Sequence, residues 1–149
     1  MAKKFTFSLD KVLNIRSWDE ETARLELGRA VSALSLIEQN LAKNNDARRL
    51  AKPSDFETPS PQDAASTNAM IALNNYIQRL DAEKERLLSE LEAAQKVVDE
   101  KSELWREAAA QKKTLENLKD RRHAKYKKDA LREEEKELDD TKYGGADSL

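Results

Sequence analysis

Stepping from Leu9 by four and three residues in turn touches Leu9, Leu13, Arg16, Glu20, Ala23, Leu27, Ala30, Leu34, Ile37, Leu41, Asn44 and Arg48. Eight of these twelve are apolar, and the polar ones fall in pairs. That is a heptad stripe, and its mean step of about 3.5 residues implies a left-handed supercoil. The same stepping fits Met70, Leu73, Ile77, Leu80, Lys84, Leu87, Leu91, Ala94, Val98, Lys101, Trp105 and Ala108, of which ten are apolar. A second stripe through Ile77, Lys84, Leu88, Leu91 and Val98 carries more polar positions, so the first is read as the packing seam.

Between the two seams lies KPSDFETPSP, residues Lys52 to Pro61, which holds all three prolines of the 149-residue chain. Pro53 stops the first helix; Ser60 is a candidate N-cap, Pro61 suits the first helical position, and Asp63 puts an acid in the first turn. The pattern predicts helix 1 over about 8–51, a turn over about 52–60, helix 2 over about 61–140 and a frayed tail at 141–149, all in one coiled-coil domain.

A short connection between two long seams predicts an all-α, antiparallel two-helix hairpin, the alternative being two helices that find separate partners in an oligomer. In the hairpin, Leu41 is expected opposite Leu73, Ile37 opposite Ile77, Leu27 opposite Leu87, and Leu9 near Trp105. About thirty residues of helix 2 then extend past helix 1, since at about 1.5 Å per residue helix 2 reaches about 120 Å and helix 1 about 65 Å. Phe5, Phe7 and Leu9 alternate as an extended lead into the first helix, with Ser8 as its expected N-cap. These aromatics either fold onto Trp105 and Ala109 or simply close the end of the bundle. Trp18 falls off the seam and is expected to be exposed.

Composition sharpens this picture. The chain is 38% charged, 38% hydrophobic and 5% aromatic, with 27 Lys+Arg against 29 Asp+Glu, the profile of long helices rather than of a thick globular core. Disorder is the competing reading, and regular leucine spacing argues against it. With no cysteine there is no disulfide, no thiol nucleophile and no cysteine metal site. The start, MAKKFTFSLDK, lacks the apolar run of a signal peptide, and no stretch approaches the roughly 20 apolar residues of a membrane span, so a cytoplasmic chain is expected.

Catalytic chemistry is not expected. His123 is the only histidine and sits among arginines and lysines, with no metal-ligand or acid–base spacing around it. No glycine-rich phosphate loop is present, so no cofactor, metal or catalytic residue is assigned. Charge is instead arranged in blocks. Lys112 to Lys128 contains eight basic residues, among them Lys112, Lys113, Lys119, Arg121, Arg122 and Lys125, against Glu116 and Asp120. Asp129 to Asp140 contains seven acids against Arg132 and Lys136. Such blocks serve either as docking strips or as solvated faces. Nucleic acid is disfavoured as a partner, because the whole chain is slightly acidic and Tyr126 alone interleaves the basic block.

The opening FTFSLDKVLNIRSWDEETARLELGRAVSAL, with Phe5, Phe7, Leu9-Asp10-Lys11-Val12-Leu13 and Arg16, resembles the start of the FliJ family of the bacterial flagellar export apparatus. YIQRL at Tyr76 to Leu80 and LWREAAAQKKTLENLKDRR at Leu104 to Arg122 extend the resemblance to roughly residues 5–140. It implies a stalk-like coiled coil in the cytoplasm, peripheral at the inner membrane, with no catalytic activity and no membrane insertion. Its implied partners are the flagellar export ATPase ring, the export-gate membrane protein and export chaperones. It also implies gate contacts at Gln39, Tyr76 and Leu80, although Leu80 lies in the seam drawn above. The next family positions fall on Glu83 and Leu87, and Glu83 departs from the small residue expected. For the ATPase ring the basic block is the candidate surface, through Lys112, Lys113, Lys119, Arg121, Arg122 and Lys125. A virulence-type secretion stalk and a plain coiled-coil tether are the alternatives, since both share the architecture.

Overall fold

The structure is a computed structural model that describes residues 4–51 and 64–146, with side chains over 4–51 and 67–142. The expected stop at Pro53 and start at Ser60-Pro61 lie outside the described residues. Two helices account for almost all of the described chain: α1, Asp10–Leu50, and α2, Ala64–Ala146. They pair as an antiparallel hairpin with α2 the longer helix. Every seam position of α1 named above is buried or half-buried, and all named positions of α2 are too, except Met70 and Lys84. Leu80 and Leu87, at 7% and 3% exposure, belong to this seam, whereas the second stripe is exposed at Lys84 and Leu88.

By its contacts the chain forms two compact units, residues 24–104 and residues 1–23 with 105–149. In the first unit Arg48 Nε meets Asp81 Oδ1 at 3.1 Å, Asn44 Nδ2 donates to the Leu80 carbonyl at 3.0 Å, and Lys101 Nζ meets Glu26 Oε2 at 3.1 Å. This register corrects the expected one: Leu41 does not face Leu73, nor Leu27 Leu87. The helices are slid by about two heptads relative to that expectation. The reason is degeneracy. Sliding a heptad seam by whole repeats keeps every leucine in the stripe, so apolar spacing cannot choose between registers. The choice falls to the polar seam residues.

In the second unit the same displacement appears. Trp105 Nε1 donates to Glu20 Oε1 at 3.1 Å, so Trp105 is not beside Leu9. Lys112 Nζ lies 3.9 Å from Glu20 Oε2, Arg16 donates to Gln111 Oε1 at 2.7 Å, and Lys119 meets Asp10 at 3.1 Å. Glu20 is therefore a buried carboxylate satisfied by an indole and an ammonium, which is what makes its burial tolerable. The lead before α1 also departs from expectation. Ser8 does not cap the helix; Asp10 N donates to the Phe7 carbonyl in a turn, and the Ser8 hydroxyl accepts from Arg122. Phe5 and Phe7 lie against His123, Tyr126 and Arg122 rather than Trp105 and Ala109.

Candidate interaction surfaces

In the unit of residues 24–104, α2 continues its seam past the Asn44–Leu80 layer. Ile77, Leu73 and Met70, with Thr67, Ile71 and Asn74, line a groove of about 330 Å3. The spacing is helical, so these lining residues share one face of α2. Met70 and Ile71 are about half exposed and Tyr76 is 44% exposed on the same stretch. Gln39 is exposed on α1. In the observed register Gln39 lies level with α2 near Leu88, about 18 Å along the helices from Tyr76 at about 1.5 Å per residue. Gln39 and Tyr76 are thus accessible but not adjacent. Leu80 is packed, and its carbonyl is taken by Asn44.

In the unit of residues 1–23 and 105–149, the first-helix segment accompanies the basic block instead of leaving it bare. Lys112 pairs with Glu20 and Glu116, and Lys119 with Asp10. The Arg122 guanidinium sits 5.4 Å from the centre of the Phe7 ring and donates to Ser8 Oγ at 3.0 Å. Phe7 is buried under this cation, and Phe5 packs edge-on against His123, with ring centres 4.7 Å apart. The aromatic lead is therefore a clasp that holds α2 as far as Tyr126. Three of the six basic candidates, Lys112, Lys119 and Arg122, have intramolecular partners. The other three, Lys113, Arg121 and Lys125, are exposed. Beyond Ala130 every described side chain is exposed, and this stretch is acid-rich. The basic block is therefore not an overhang: the stretch of α2 beyond the clasp is the acidic one.

Among the described residues, no group of three or more His, Cys, Asp or Glu is placed to hold a metal ion, and no helix is long and apolar enough to cross a membrane. The model of one family, the flagellar FliJ protein, matches residues 5–142. The chain belongs to the FliJ family. As a FliJ-family member it is a coiled-coil protein associated with flagellar export. Searches of curated proteins and of solved structures return no significant match.

The FliJ match runs from the first aromatic of the clasp, Phe5, to Lys142, so it covers both seams and both charge blocks. Sequence reasoning missed the roles of Glu20 and Asn44. Their signal was present, as polar residues in an otherwise apolar stripe, but their partners Trp105 and Leu80 lie far away in the chain. It also missed Arg122 as a structural cation, because the pairing with Phe7 depends on the register.

Proposed function

We propose that this chain is the stalk-like coiled coil of a flagellar export apparatus. It acts at the cytoplasmic face of the inner membrane and engages the export ATPase ring and the export-gate membrane protein; it also escorts export chaperones. The family match over residues 5–142 carries this reading. The two ends of the hairpin suit two different partners. Tyr76, with Met70 and Ile71 nearby, offers apolar contact for the gate protein, and Gln39 adds a separate polar contact. Leu80 supports the gate surface from within the seam.

The ring contact is assigned to Lys113, Arg121 and Lys125, whose charges face solvent. Arginine can grip a carboxylate with two parallel bonds, so Arg121 is the central residue. Lys112, Lys119 and Arg122 shape this surface by holding the first-helix segment against it. The test is an ATPase assay with the purified ring. Reversing Arg121 and Lys125 to Glu is expected to abolish stimulation while helicity is retained, and stimulation by the unaltered chain is expected to weaken as salt screens charge beyond about 8 Å. Full stimulation by the reversed protein would leave the chain a structural tether with a solvated basic face.

A further inference from the structure

The exposed stretch of α2 carries a second heptad stripe. Ala124, Leu131 and Leu138 recur at seven-residue intervals on a face distinct from the half-buried one of Lys119, His123, Tyr126 and Ala130. All three are exposed, and Leu131 and Leu138 are so to 59% and 63%. Between the apolar positions lie Lys127 and Lys128 on one side of Leu131, and Glu134 and Glu135 on the other.

These charges have little local compensation. On a helix, opposite charges stabilise each other at three or four residues' separation, and like charges there repel. Lys127 and Lys128 have no acid at those separations, and Glu134 has no base. Glu135 has only Arg132. A surface that was merely solvated would have no need to separate its signs in this way.

The pattern is its own complement when reversed. A second copy laid antiparallel, with a two-fold axis at Leu131, sets Leu131 against Leu131 and Ala124 against Leu138. It brings Lys127 towards Glu134 on one side of the stripe and Lys128 towards Glu135 on the other, twice each. We propose that this face is a homodimer interface, in which α2 of a second copy pairs antiparallel with residues 124–138. Charge complementarity selects the occupant, and a two-fold contact uses the same patch on both chains. The apolar layers are few, so the association is weak and salt-sensitive. It leaves Lys113 and Arg121 outside the contact, whereas Lys125 falls within the paired segment.

The experiment is sedimentation equilibrium of the full chain at low and high salt, with two charge variants. K127E/K128E presents four acids along the face, and E134K/E135K presents four bases. Each alone is expected to dimerise at least about tenfold more weakly than the unaltered chain. Mixed one to one, they are expected to form a heterodimer at least as tight as the original homodimer, which also shows that both are folded. An unaltered chain that remains monomeric at several hundred micromolar in low salt overturns the proposal. So does a dimer that both variants form as well as the unaltered chain, because the interface then lies elsewhere.

Discussion

The Asn44 side chain donates through Nδ2 to the backbone carbonyl of Leu80, 3.0 Å away, inside the apolar seam. Among the described residues its buried Oδ1 has no hydrogen-bond partner. A buried polar group left half-satisfied costs about 1–3 kcal/mol. A polar asparagine at a seam position can specify register at the expense of stability. Asn44→Leu is therefore expected to raise the melting temperature while loosening the register. Calorimetry reads the first effect, and the spread of distances between labels on the two helices reads the second. A variant that melts lower, with an unchanged distance distribution, would assign Asn44 a packing role only.

Glu20 is the corresponding device in the other unit. Its carboxylate accepts from the Trp105 indole and lies near Lys112. Glu20→Ala leaves a half-buried indole donor unpaired and is expected to destabilise the fold by about 1–3 kcal/mol. In a Trp18→Phe background Trp105 is the only tryptophan, since Trp18 is 74% exposed and contributes a solvent-like signal. Urea titration followed by Trp105 fluorescence measures the loss. A change below about 0.5 kcal/mol, the usual range for a surface substitution, would mean that Glu20 is not a structural partner.

The clasp gives a third expectation. Phe7→Ala removes a buried aromatic and with it the ring on which the Arg122 guanidinium rests. Large buried aromatics cost about 3–5 kcal/mol when truncated to alanine, and at a helix-pair end the loss is taken mainly as local opening. Amide exchange should rise over residues 119–126 and over the first turn of α1, with little change near Asn44. Uniform acceleration along the whole chain would show that the clasp governs global stability.

Tyr76→Ala separates binding from folding. The ring is 44% exposed, so stability should change by no more than about 0.5 kcal/mol. Affinity for the export-gate protein should fall by about 2 kcal/mol, the scale of an aromatic hot spot. Leu80→Ala should do the reverse in part, lowering the melting temperature because Leu80 is packed. Equal gate affinity for the Tyr76 variant would remove it from the contact surface.

The hairpin class and both packing stripes were legible in the sequence, because burial follows the heptad step and Leu27, Ile37, Leu87 and Leu91 declare it locally. The register was not legible, since leucines seven residues apart are interchangeable. With it went the placement of Leu9, the target of Phe5 and Phe7, and the identity of the uncovered stretch of α2. The basic block was readable as a block, but not that Asp10 and Glu20 occupy part of it. Those ion pairs follow from an alignment in which the polar seam residues Arg16, Glu20, Asn44, Arg48 and Lys101 all find cross-helix partners. Tyr76 was readable as a surface residue from its off-seam position and Gln39 came only from the family resemblance, whereas their separation along the helices again required the register.

The register is thus the central claim, and the absence of cysteine makes it directly measurable. Paired spin labels at positions 26 and 101 replace an ion pair of 3.1 Å between exposed or half-exposed groups, whose loss should barely affect the fold. A second pair at 26 and 88 samples the alignment in which Leu27 faces Leu87. The observed register is expected to give strong dipolar broadening for 26/101 and a separation of about 20 Å for 26/88, as about thirteen residues of helical rise require. Close contact at 26/88 with a long distance at 26/101 would contradict it.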